Sequence, residues 1–417
     1  MITAGTASVD ITPPVGLSLS GFAARKDPAV GAHDPLTVRA LVVGDTALVV
    51  ADVIGLRSDM TERIRDRCTL PADRVVIAAL HTHSGPVSMA GRLSQDADQT
   101  YLDRLEAACV EALDTAASRA RPAFLTAGYG RDPDVARNRR HADGPIDRAL
   151  PVLRIRDASG ALMAIVASYA CHPVVLGADN RLWTADYPHF VRQRLEAGQA
   201  GATSFFLTGC CGDSNTGHSA HASVSLTASE YRSFASAEAF GERIAAAALA
   251  APEVPLKDHV STANDAVFLR YERREAKPLY ALAKQWANEE ASADPARAEL
   301  LRHWRAWASR ANGQALGTLA ARVTVLNWGG MPIVALPGEI FAETALEIRS
   351  RIPSSPAFVI GFCEDNPGYI PPAGEYDSGG YEVEEAHRYY GQPATFARGS
   401  AEILASSAVE LLRREEL

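Results

Sequence analysis

The stretch Val75-Val76-Ile77-Ala78-Ala79-Leu80-His81-Thr82-His83-Ser84-Gly85-Pro86 begins apolar and β-branched and ends in two histidines and a Ser-Gly-Pro break. The apolar run predicts a buried strand. Side chains alternate along a strand, so the spacing predicts His81 and His83 on one side, at the mouth of a sheet. Two imidazoles so placed suit half of a metal site or an acid/base pair. Read alone, the same pattern also suits solvated or core histidines.

Upstream, 36–43 and 47–53 read as strands joined by Gly44-Asp45-Thr46, and 58–68 reads as a helix with Ser58 as its N-cap. Strand, turn, strand, helix, strand predicts a mixed sheet with helices packed on it, an α/β fold. Downstream, 98–120 has helical periodicity through Tyr101, Leu105, Ala108 and Leu113. The runs 152–156 and 162–169 form a hairpin about Asp157-Ala158-Ser159-Gly160 and deliver Cys171-His172-Pro173. Proline keeps His172 extended. Asp186 opens a helix, 204–207 is a short buried strand, and a glycine-bearing turn follows through Gly212, Asp213, Ser214 and Asn215. The segments 227–251 and 280–311 read as helical, the second broken at Asp294-Pro295 and set apart as an insertion near 270–315. A second hairpin, 323–336, ends in Pro337-Gly338-Glu339, and 357–362 is the last strand before a tyrosine-rich loop and a helix over 393–413.

Composition narrows the function. The chain has 417 residues, 47% hydrophobic and 22% charged, which suits an ordinary globular core. With a formal net charge of −9 and no basic run denser than Arg137-Asn138-Arg139-Arg140, a nucleic-acid partner is not expected. No apolar segment is long enough to span a bilayer and the first residues lack a leader pattern, so a cytoplasmic protein without stable membrane association is expected. Cys68, Cys109, Cys171, Cys210, Cys211 and Cys363 include no Cys-x-x-Cys pair and read as reduced thiols.

Strand exits thus carry His81 with His83, His172, Glu339 and Tyr369. Zinc accepts imidazole and carboxylate ligands, and a catalytic site keeps one position open. Other readings stay available: His172 as a core histidine, Glu339 as a helix first-turn acid, Tyr369 and Tyr381 as packing residues, and Asp52 and Asp186 as caps or partners of a histidine. His218, His221, His259 and His303 read as surface residues.

The blocks Val9-Asp10-Ile11-Thr12-Pro13, Leu80 to Pro86, Asn138-Arg139, Tyr169 to Pro173, Gly212-Asp213, Leu336 to Glu339, and Tyr369 with Glu375-Tyr376 and Tyr381-Glu382 occur in an order that resembles the neutral/alkaline ceramidase superfamily over nearly the whole chain. The resemblance implies one catalytic domain over 1–417, with the helical insertion inside it and no C-terminal sandwich domain. It implies a zinc-dependent amide hydrolase with His81, His172, Glu339 and Tyr369 as metal ligands. His83 would then serve proton transfer, and Arg139, Tyr381 and Asp213 would complete the catalytic group. Asn138, Gly212, Ser214 and Asn215 would face the substrate. Two departures, Asn215 at the position of a family serine and the absent sandwich domain, imply a small soluble N-acyl substrate rather than ceramide. An esterase, lactonase or sugar deacetylase, a metal Lewis-acid lyase or isomerase, and a non-catalytic metal-stabilised binding protein are the alternatives.

Overall fold

The computed structural model describes residues 1–93, 97–219, 229–352 and 356–415. The larger sheet runs in the order Thr203–Thr208, Leu162–Tyr169, Leu150–Asp157, Arg121–Gly130, Thr3–Asp10, Thr37–Val43, Thr46–Ala51, Val75–Ala79, with Val254–Pro255 paired beside Arg121–Gly130. Its middle is antiparallel, and tight turns explain why. Gly44 and Gly160 take left-handed φ values of 59° and 84°, which cost glycine nothing.

Both edges are parallel: Val75–Ala79 beside Thr46–Ala51, and Thr203–Thr208 beside Leu162–Tyr169. Each parallel step needs a crossover, supplied by the helices Ser58–Arg67 and Tyr187–Glu196. Val75–Ala79 is buried at every position, as a strand covered on both faces must be.

The two edges meet. Gly361 N–H donates to Thr208 O at 3.2 Å, Ala79 N–H to Phe362 O at 3.0 Å, and the Thr208 hydroxyl to Leu80 O at 2.6 Å. The segment around 361–363 therefore covers both edges, and no bare strand is left at this seam. That segment extends the second sheet, ordered Phe358–Ile360, Met331–Ala335, Thr318–Trp328, Val260–Glu272, Thr395–Phe396. Trp328 fixes one sheet to the other by donating its indole N–H to Thr46 Oγ1 at 2.8 Å. Helices Ala342–Ser350 and Ser400–Glu415 pack with the second sheet around Val323, Val325, Val334 and Leu404.

Both hairpins lie where expected, and Asp98 caps Gln99–Ser118 by accepting from Tyr101 N–H. Four details differ. Ser58 is the first helical residue and makes no cap; Arg57 holds that position without a side-chain bond. The helix expected over 227–251 is Phe234–Leu249; residues 220–228 lie outside the described set. The helical segment expected over 270–315 is narrower, because Val260–Glu272 is a strand of the second sheet; its helices are Leu279–Glu290 and Pro295–Ala311. The last helix starts at Ser400, since Thr395 and Phe396 pair with Glu272 and Tyr271.

Candidate metal centre

The seam gathers the polar strand exits. Val75–Ala79 ends before His81, which takes a left-handed φ of 69°. Strand alternation therefore does not set the two histidines, contrary to the expectation. Their rings are nonetheless neighbours, with centroids 4.9 Å apart. His81 stacks on Phe362, the covering residue, at 3.9 Å. His172 follows the exit of Leu162–Tyr169, beside the opposite edge of the sheet, and Glu339 follows Met331–Ala335. Glu339 and Tyr369 face each other in a short parallel pair, Glu339–Ile340 with Tyr369–Ile370.

His81, His172 and Glu339 offer ligand atoms within 4.8 Å of one another, and all three residues are buried. The backbone orients both rings: His81 Nδ1 lies 2.5 Å from Ile54 O, and His172 Nδ1 lies 2.5 Å from Cys211 O and 3.2 Å from Ser214 O. A carbonyl only accepts, so each Nδ1 carries the proton and each Nε2 presents a lone pair. Those lone pairs face Glu339 Oε2 at 3.5 Å and 3.1 Å. Burial pushes the His172 imidazole down to about 4, so it is neutral at neutral pH. Three converging lone pairs repel unless a cation lies among them. His81 Nε2, buried and without a hydrogen-bond partner, is the atom that such a cation would satisfy. A two-histidine, one-glutamate set is a catalytic zinc set with room for a further ligand. The residues present therefore fit zinc.

A second trio, His33, Asp34 and His189, also lies close together. There Asp34 already accepts from His33 Nδ1 at 2.8 Å, from Thr184 Oγ1 and from Ala185 N–H at 2.9 Å, so no cation is required.

The remaining expected residues divide into two groups. His83, Arg139, Tyr369, Tyr381 and Asn215 line the cavity over the trio. Arg139 donates to Tyr369 Oη at 3.0 Å, to Gly212 O at 2.8 Å and to Glu382 at 3.0 Å. His83 is half-buried, its Nδ1 3.2 Å from His81 O. Burial, then the neighbouring His81 and His172, push its imidazole well below the ordinary value. Asn138, Asp213 and Ser214 sit behind the cavity instead. Asp213 accepts from Ala342 N–H and from Asn138 Nδ2, each at 2.9 Å, and burial pushes its carboxyl up to about 6. Ser214 contributes its carbonyl to His172. The Asn215 amide is committed to its own turn, accepting from Gly217 and His218 N–H.

Other residues at the site were not read from the sequence. The Tyr390 hydroxyl donates to Glu339 Oε1. His218, expected on the surface, lines the cavity with Phe22, Val174 and Arg232. His303 likewise is not free: it stacks on Tyr389 at 4.8 Å. A turn signal was present at Gly21, where a Cβ would fall 2.5 Å from the His83 ring; nothing local marks Tyr390.

The comparisons agree with this fold. The family model for the N-terminal part of neutral/alkaline non-lysosomal ceramidases matches residues 2–220. A neutral ceramidase of Drosophila melanogaster is 27% identical over 223 residues, covering 46% of this chain and 32% of the relative. That of Drosophila pseudoobscura pseudoobscura is 28% identical over the same length, with the same shares covered. The chain thus spans about a third of the curated relatives it matches. The crystal structure of neutral ceramidase from Pseudomonas aeruginosa superposes with a TM-score of 0.74 at 16% identity, covering 99% of this chain and 75% of that one. A ceramidase complexed with C2 superposes at 0.75 and 16%, covering 100% and 76%. At that identity the likeness is one of fold. Among the described residues, no helix is long and apolar enough to cross a membrane.

Proposed function

The chain belongs to the neutral/alkaline non-lysosomal ceramidase family, and from that premise we propose that it is a zinc-dependent hydrolase cleaving the amide bond of a small, soluble N-acyl compound. The carrying observation is the meeting of two imidazole lone pairs with the Glu339 carboxylate. His81, His172 and Glu339 would hold the ion, with Tyr369 as a further protein ligand beside the position left open. When bound, zinc polarises the acyl carbonyl and lowers the pKa of a water from 15.7 to about 7.

The protein's own groups do the rest. His83 is not needed as a ligand, because a further protein donor would close the open position. Its Nδ1 is tied to the His81 carbonyl, which leaves Nε2 to take a proton from water and return it to the departing amine. Arg139 fixes the Tyr369 hydroxyl, and with Tyr381 it offers donors to the carbonyl oxygen as negative charge develops there. Asp213, Asn138 and Gly212 position Arg139 and the Glu339 backbone rather than touching substrate. Among the described residues, the cavity's mix of Arg139, Asn215 and three tyrosines with only Phe22, Leu93 and Val174 as apolar side chains supports a short, polar substrate over a lipid chain.

The test combines elemental analysis with a panel of N-acyl compounds. One zinc per chain, lost from both His81→Ala and His172→Ala together with amide hydrolysis, is expected. Protein never exposed to chelator but free of transition metal would refute the metal assignment. Faster turnover of long-chain ceramide than of any short amide would refute the substrate class. Ester or lactone cleavage in place of amide cleavage would move the reaction to that chemistry.

A further inference from the structure

The two insertion helices carry a small core of their own, built on Trp286, Trp304, Trp307, Leu279 and Leu301. What they enclose is not apolar. The Arg388 guanidinium, from the short helix Ala386–Tyr389, sits 5.4, 4.6 and 5.3 Å from the centroids of Trp286, Trp304 and Trp307. An arginine over indole faces, out of water, is held by the ring quadrupole and stacks flat, so its position is well defined.

The insertion also touches Lys26 through Glu299 and Arg273 through the Ala311 carbonyl, but the hydrogen bonds of its buried aromatic side chains fall on the same segment. Trp304 Nε1 donates to Tyr389 Oη at 3.2 Å, and Trp307 Nε1 donates to Gln392 O at 2.8 Å. His303 Nε2 lies 3.2 Å from Arg388 O, and its ring stacks on Tyr389. The other side of this segment is the candidate site. Tyr390 donates to Glu339 Oε1, the Tyr389 ring lies 6.1 Å from Tyr381, and Leu93 N–H donates to Tyr389 O at 2.7 Å. Tyr390, Tyr381 and Leu93 all line the cavity. One strip of chain, 386–392, is thus gripped by the insertion on one side and bears a wall of the cavity on the other.

We propose that the insertion is a positioning device for the site: its tryptophan cage, closed on Arg388, sets Tyr390 against Glu339 and fixes the tyrosine wall. Arg388 and Trp304 are then positioning residues, acting through Tyr389 and Tyr390. The inference rests on the metal reading only for one of its two readouts.

Arg388→Ala, Arg388→Lys and Trp304→Phe are compared with the parent and with Arg305→Ala, which removes an insertion ion pair with Glu290 that does not touch 386–392. Zinc affinity is measured by chelator competition. Hydrogen–deuterium exchange of 338–341 and 386–392 is measured on metal-free protein. Arg388→Ala should weaken zinc binding about tenfold, the lower end for lost outer-shell partners, and should speed exchange in both segments. Arg388→Lys should restore part of each, and Arg305→Ala should change neither. Parent affinity together with exchange changes confined to 279–311 would overturn the proposal, as would equal effects from Arg305→Ala. If the parent binds no zinc yet exchange spreads to 338–341, the metal reading falls and the positioning role stands.

Discussion

Gly212→Ala tests how tightly Glu339, the proposed metal ligand, is held. Gly212 packs against the segment that carries Glu339, and its N–H donates to Ile340 O at 2.8 Å. A Cβ placed on it would stand 2.6 Å from Glu339 O and 2.9 Å from Phe341 Cδ1, where ordinary contact begins at 3.4 Å. The nearest obstacle is backbone, which cannot rotate aside as a side chain would. Relief requires the Glu339 strand to retreat by roughly 0.8 Å in an interior packed as densely as a crystal. Overpacking of this kind costs about 1–3 kcal/mol of stability. A ligand displaced by about 1 Å costs on the order of a hundredfold in rate. The assay is zinc affinity by chelator competition, with turnover of a hydrolysed N-acyl compound and urea unfolding on the same preparation. Gly374→Ala is the control, since its Cβ would meet nothing within 4 Å. Parent affinity and parent turnover in Gly212→Ala would refute the idea that close backbone packing sets Glu339.

His83→Ala should keep its zinc and lose about 10²- to 10⁴-fold in turnover, in contrast to His81→Ala; loss of zinc would make His83 a ligand and move the proton carrier to another group. Tyr390→Phe keeps the ring and leaves a buried Glu339 oxygen without its donor, so metal-free protein should lose about 1.5–3 kcal/mol, and unchanged urea unfolding would count against it. Asp186 has its carboxyl pushed up to about 6 by burial. Its folded-state pKa is thus above the unfolded one, and the protonated form's stability is present below about pH 4 and lost as pH rises through 6. Asp186→Asn should therefore gain on the parent across that window by a few kcal/mol and then level off; a constant difference from pH 4 to 7 in chemical denaturation would refute the assignment.

Local chemistry made the framework readable. The hairpins over 150–169 and 318–335 follow from glycine turns between β-branched runs, and the buried strand before His81 from an unbroken apolar stretch. The resemblance pointed to His81, His172, Glu339 and Arg139 through compact motifs, and the fold brings the first three within 4.8 Å of one another. What stayed hidden depends on contacts between distant residues. Tyr390 meets Glu339 across 51 residues, and nothing beside it distinguishes it from the other tyrosines of that loop. The grouping of His81 with His83 was correct, but its reason was not: the chain leaves the strand at Ala79 and turns left-handed at His81, where Phe362 stacks on the ring. Ser58 looked like a cap because serine commonly is one, but the helix begins on it.

The ligands also set an order of events. His172 and Glu339 are 167 residues apart, so a ribosome adding roughly 5–20 residues per second takes about ten to thirty seconds between them. During that interval the nascent chain offers two imidazoles and no carboxylate partner, a weak grip on any ion. On the proposed metal reading the ion would be a late clasp rather than a template for the first half, and its binding free energy would go into fastening the second sheet onto the first. Stripping the ion from the mature protein should accordingly loosen the seam at 336–341 and 360–363 before either core melts.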